Sequence, residues 1–214
     1  MSTHSSGKEL FMVQVPREVD KHARIIEAAT KIFSQKGYFH SKIADVAEAA
    51  GVAEGTIYLY FKSKEDLLIS IFEHSMDKFI HEGKKELSKF SSPEEKFKRF
   101  VHFHLSLVQE NQNLSHVIQL ELRQSSKFMK EYKADKFFDY LRVVEEIIEE
   151  GQKSGVFSLK INPKIIRRAI FGAVDEMALE WVLMKEKKYT LEKCADQLCE
   201  MFLNGMKANP QGSA

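Results

Sequence analysis

The sequence predicts an all-α protein in two parts: an N-terminal three-helix helix-turn-helix head and a larger C-terminal helical bundle, about nine helices in all. Three observations carry this. Apolar residues recur at helical spacing along most of the 214 residues, and only 4 prolines and 10 glycines interrupt them. Gly51 divides the stretch Ser41 to Lys64, SKIADVAEAAGVAEGTIYLYFKSK, into two short helical patterns. Two short helices joined by a tight glycine turn make a helix-turn-helix, whose second helix fits a major groove.

Residues 1–19 show no periodic pattern beyond a short LFMVQV run ending at Pro16, and read as a mobile arm. A groove-tracking arm with Lys8 and Arg17 as its cations is the alternative. The head is expected over residues 20–64. Its first helix runs from Asp20 to Lys36, with Ile25, Ala28, Ala29, Ile32 and Phe33 on one face and Gly37 as its C-terminal cap. Lys21 and Arg24 lie in the first turn, where a phosphate is one reading and ordinary solvation the other. Ser41 is placed to cap the second helix, which buries Ile43, Val46, Ala47 and Ala50. In the third, Ile57 and Phe61 form an inward i,i+4 pair.

The second part is expected over residues 65–207, with a tail at 208–214. Ser63 can cap a long fourth helix that leaves the head and reaches about Lys89, with Asp66 returning the bond. Ser92-Pro93-Glu94-Glu95 starts the next helix, and Asn111-Gln112-Asn113 marks its end. Further helices are expected over Leu114 to Ser125, Lys130 to Lys153, from Asn162-Pro163 onward, and from Thr190 to Met206. The last two carry small residues amid bulky ones, including Gly172, Ala173 and Gly205. Paired with a two-fold copy they would make a four-helix interface, so a homodimer is expected.

No run of 18 uncharged apolar residues occurs, so no membrane span is expected, and the polar N-terminus lacks a signal peptide's apolar core. Two cysteines five apart, Cys194 and Cys199, suit a reducing cytoplasm. His102 and His104 are two apart and face away from each other on a helix, so no metal site is expected. Neither a nucleophile elbow nor a phosphate or dinucleotide loop is present, so neither an enzyme nor a cofactor is expected. Residues 1–80 hold 10 Lys and Arg against 11 Asp and Glu, so any nucleic-acid contact rests on a local face rather than on bulk charge.

That face is read as Gly55, Thr56, Tyr58, Tyr60, Lys62 and Lys64. The hydroxyls can donate to phosphate, Thr56 can reach a base edge, Gly55 removes a side chain at closest approach, and the lysines supply salt-dependent affinity. Packing against neighbours is the plainer reading for the two tyrosines. In the bundle, Gln119 and Arg123 stand four apart inside VIQLELRQS, near Phe100 and His104 of the preceding helix. An arginine in an apolar bundle needs a carboxylate or an anionic ligand. An internal salt bridge to Asp175 or Glu176, or a hold on the polar end of an acyl ligand, both stay open.

A Gly-Tyr ahead of IADVAEAAGVAEGTIYLYF and KSKEDLL resembles the DNA-binding domain of the TetR family of bacterial regulators, specifically over Ile25 to Leu68. The resemblance implies a dimer on a palindromic double-stranded operator, its reading helices about 34–36 Å apart. Thr56 matches the family's base- or phosphate-contacting threonine, Tyr58, Tyr60 and Lys64 match backbone-holding positions, and Ser41 matches the capping hydroxyl. Ala44 and Glu54 depart from the family pattern, which leaves Lys42 or shape readout to carry more of the specificity. QLELRQS and FGAVDEMALEWV are similar to stretches of the TetR-type repressors of fatty-acid degradation in bacilli. That implies a small hydrophobic effector, a long-chain acyl-coenzyme A, held by Phe100, His104, Gln119, Arg123, Phe171, Asp175 and Trp181. A drug-responsive repressor and a helical adaptor without DNA binding are the rival readings.

Overall fold

The structure is a computed structural model that describes residues 17–125, 128 and 135–208. Among these residues it is all helical, apart from an isolated bridge between Phe157 and Lys207. Helix α1 spans Arg17–Lys36 and so begins three residues before the expected Asp20. Most of the expected arm, including Lys8, lies outside the described residues, as do 126–127, 129–134 and 209–214.

Ile25, Ala29 and Phe33 of α1 are fully buried, and Gly37 at φ 77° ends the helix with its N–H on the Phe33 carbonyl. Helices α2 (Ile43–Ala50) and α3 (Glu54–Tyr60) follow. Gly51, at φ 64°, makes the left-handed turn between them that a side chain would strain. The capping expectation for Ser41 is corrected. The residue flanking α2 is Lys42, whose N–H is held by Asp45, while Ser41 is 3% exposed and its hydroxyl donates to Gly37 O at 2.7 Å. Its oxygen faces a carbonyl left open by the end of α1, not the N–H groups of α2.

Helix α4 (Lys64–Leu87) does start on Ser63, whose Oγ accepts the Asp66 N–H at 3.0 Å. At 24 residues it runs about 36 Å from the head into the bundle. Then come α5 (Pro93–Glu110) and α6 (Gln112–His116). Only Asn111 separates them, so the break is shorter than expected. Helix α6 runs on through a π-helical turn, Val117–Glu121, and a 3-10 turn, Leu122–Gln124. Helices α7 (Asp135–Lys153), α8 (Pro163–Leu183) and α9 (Leu191–Met206) complete the bundle. Asn162 and Thr190 cap the last two through side-chain oxygens.

Two apolar cores result, and they do not part at Lys64. The head core takes in Leu67, Leu68, Ile71 and Phe72 of α4 together with Val117 and Leu122 of the α6 segment. The bundle core centres on Phe97, Phe100, Tyr140, Leu141, Ile148 and Ile170, closed by α9 against α5. Helix α6 therefore belongs to both halves: its continuation is packed into the head, while Gln119 lines the bundle cavity together with Ile118, which also packs against the head core.

Candidate functional site

One side of α3 is set by Ile57 at 1% exposure and by Phe61 at 2% just beyond the helix. Roughly opposite stand Gly55, with no atom within 4 Å of where a Cβ would lie, Tyr58 at 52% exposure and Leu59 at 83%. Thr56 and Tyr60 are half-buried, the Tyr60 ring meeting His22 edge-on at 6.0 Å. Packing thus claims part of Tyr60 and little of Tyr58. Leu59 was not anticipated: periodicity points it outward, but an apolar residue gives no polar signal.

Around this helix the cations are differently engaged. Lys21, Lys42 and Lys62 are exposed. Arg24 donates from Nη2 to Ala50 O at 2.5 Å, tying α1 to the end of α2. The Lys64 ammonium lies 4.5 Å from the Tyr38 ring centre and donates to Phe39 O at 3.4 Å; partial burial there lowers its pKa. Ser41, named for this face, lies inside the head instead.

The bundle encloses an apolar cavity of about 160 Å³ between α4, α5, α6, α7 and α8, with Phe72, Phe79, Phe137 and Phe171 among its walls. Its polar lining includes His104, Tyr140, Gln119 and Asp175 on one side and Ser75, Lys78, Glu82, Asn111 and Ser115 elsewhere. His104 Nδ1 lies 2.8 Å from the Tyr140 hydroxyl. Burial pushes the imidazole down to about 4 against the opposing pull of Asp175, and burial raises the Tyr140 phenol. Both are neutral near pH 7. Asp175 accepts from Gln119 Nε2 at 2.8 Å and Arg123 Nη2 at 2.5 Å, while Arg123 also donates to Gln119 Oε1 at 2.8 Å.

Arg123 therefore has its carboxylate, and of the two candidates it is Asp175; Glu176 is exposed. The structure brings His104, Gln119, Phe171 and Asp175 onto the cavity, with Arg123 behind Asp175. Phe100 is 1% exposed and backs the wall, its ring 5.5 Å from that of Tyr140. Trp181 lies apart, in a separate cleft with His116 and Lys187. Phe79, Phe137 and Tyr140 also line the cavity, and the sequence reading named none of them as an effector contact.

A wider, more polar groove of about 760 Å³ runs between head and bundle. Ser75, Lys78, Asn111 and Leu114 line both spaces. Lys31, His74 and Lys78 border the groove, opposed by Glu27 and Glu110. Hydrogen bonds also join the halves: Ser34 Oγ donates at 3.1 Å to Oδ1 of Asn113, on the groove's lining. Glu121, buried in the π turn, accepts the Tyr38 N–H at 2.7 Å, and Ser125 Oγ lies 2.5 Å from Glu65 of α4.

A helix-turn-helix with an outward reading helix, joined by a long shared helix to a bundle with an apolar cavity, defines a ligand-responsive DNA-binding regulator. Residues 25–71 match the family of bacterial regulatory proteins of the tetR type, and residues 72–205 match the C-terminal region of YsiA-like proteins. The chain belongs to the TetR family and is a DNA-binding repressor; the family's members are not enzymes. It is 36% identical over 186 residues to the fatty acid metabolism regulator protein of Bacillus subtilis, covering 87% of this chain and 95% of that one. The crystal structure of FadR from Bacillus subtilis in complex with stearoyl-CoA matches with a TM-score of 0.80 at 36% identity, over 86% of this chain and 99% of that one. The fatty acid degradation regulator FadR from Bacillus halodurans matches with a TM-score of 0.79 at 34% identity, over 87% and 100%. Among the described residues, no helix is long and apolar enough to cross a membrane.

Proposed function

We propose that this repressor controls fatty-acid degradation and leaves its operator when a long-chain fatty acyl-coenzyme A occupies the bundle. In this reading residues 20–64 contact a palindromic operator, residues 65–207 hold the effector, and α8 and α9 pair two copies. The observation that carries it is a pair of adjacent spaces: an apolar cavity for a chain and, sharing Ser75, Lys78, Asn111 and Leu114 with it, a polar groove with lysines for phosphates. The relative of known complex holds stearoyl-CoA. A neutral drug would need the cavity but not the lysines of the groove.

The cavity, at about 160 Å³, is smaller than the ~300–1,000 Å³ of pockets that enclose drug-sized ligands. A long acyl chain fits only if the surrounding helices part. Two of those helices run into the head: α4, through Phe72, Met76 and Phe79, and α6, through Leu114 and Ile118. Expansion moves the Lys64 end of α4 and the Glu121 tie together. A tilt that spoils the spacing of two reading helices then suffices for release, and the effector is a regulator because it binds the expanded state better.

The test is fluorescence anisotropy of the protein on a duplex selected from random sequence, titrated with acyl-coenzyme A of 8 to 18 carbons, free fatty acid, and coenzyme A. Release by the long-chain thioesters, with little effect of coenzyme A alone, is expected. Release by apolar drugs and by none of the thioesters would favour the drug-responsive reading.

A further inference from the structure

We infer that Leu59 reads a thymine methyl group in each operator half-site. The argument starts from what α3 lacks. Its seven residues, EGTIYLY, include no Arg, Lys, Asn or Gln, the side chains that make paired hydrogen bonds to guanine or adenine in the major groove. Thr56 is half-buried and short. Glu54, exposed at the start of the helix, can accept from a cytosine amine; beyond it, sequence discrimination by this helix rests on shape and apolar contact, and the apolar feature of the major groove is the C5-methyl of thymine.

Leu59 is the residue placed to make that contact. With Ile57 and Phe61 fixing the inner side, Leu59 stands on the outer side, one turn beyond Gly55. No atom comes within 4 Å of a Cβ position at Gly55, so a base-pair edge can approach beside the leucine without obstruction. Single exposed leucines are ordinary on protein surfaces. This one, 83% exposed, continues a face whose partner is DNA, flanked by Tyr58 and the exposed Lys62. Docking removes it from water, and a methyl group is the groove feature that rewards it.

The test uses the full-length protein and the duplex it selects from random sequence. Each thymidine is replaced in turn by deoxyuridine, which deletes only the methyl. At one position per half-site the wild type should bind about fourfold more weakly, the effect of one buried methyl-sized group. Leu59→Ala should bind the thymidine duplex more weakly and no longer distinguish the two bases there. Tyr58→Phe, which removes a hydroxyl that can reach phosphate, should weaken both duplexes and keep the distinction. Leu59 makes little use of the interior, so thermal unfolding of Leu59→Ala should match wild type, and low salt keeps weak complexes measurable. The inference is overturned if no thymine methyl matters to the wild type, if Leu59→Ala discriminates as the wild type does, or if the protein selects no sequence at all.

Discussion

At the scale of single residues, His104 shows how burial sets chemistry. Its imidazole is enclosed among Phe79, Tyr140 and their neighbours, with Asp175 the nearby charge that favours protonation and desolvation the larger effect against it. The folded chain holds it at about 4, against 6.5 when free. Between those values the unfolded chain binds the proton and the folded chain does not, so stability is complete above pH 6.5 and falls as pH drops toward 4. The loss should be on the order of 3 kcal/mol in urea unfolding between pH 7 and pH 4.5. His104→Gln, whose amide can pair with the Tyr140 hydroxyl as donor or acceptor, should remove most of that slope; an unchanged slope would place the titration elsewhere. The sequence reading excluded a metal pair with His102 and named His104 as an effector contact. Its partner, 36 positions on, lay beyond any local pattern. Ser41 shows the reverse failure: a hydroxyl before a helix suggests a cap, and only the folded turn reveals the carbonyl of Gly37 that takes it.

At the scale of elements, α6 does what α4 alone was expected to do. The sequence placed a helix over LSHVIQLELRQS correctly, but Val117 and Leu122 are five apart and leave one face at ordinary helical pitch. The Leu122 N–H bonds to the Val117 carbonyl, the five-residue span of a π turn, which brings both onto the head. The same turn leaves Gln119 bonded to Asp175 at the cavity and Glu121 bonded to Tyr38 in the head. Periodicity rules assume one pitch, so neither contact was legible beforehand. Glu121→Gln replaces a charge-assisted bond with a neutral one. Operator affinity without effector should stay close to wild type, while the ratio of affinities without and with acyl-coenzyme A should shrink roughly fivefold, about 1 kcal/mol of coupling. An unchanged ratio would take the Glu121–Tyr38 bond out of the coupling and leave it to α4 and the remaining contacts.

At the scale of the whole molecule, the outer faces of α8 and α9 decide how many copies act together. Ile165, Leu183 and Met201 are exposed, and Ala169, Gly172 and Gly205 on the same helices are exposed small residues. No atom lies within 4 Å of a Cβ position at Gly172 or Gly205, so another backbone can come close there. The small residues were legible in the sequence, since they stand out among bulky neighbours. The packing of α9 onto α5, which fixes which side of α9 remains outside, was not. A single short reading helix offers one half-site, whereas two copies joined through these faces would bind both halves of a palindrome. Charges introduced where two apolar surfaces meet must be desolvated without partners. Ile165→Asp combined with Met201→Asp should therefore convert a sedimenting dimer to monomer at micromolar concentration. Helix content should persist, because both side chains are exposed in one protomer, and operator affinity should fall by about 100-fold or more, in proportion to the half-site binding lost. A wild-type protein that sediments as a monomer, or a double variant that remains a dimer, would place the pairing surface on other helices.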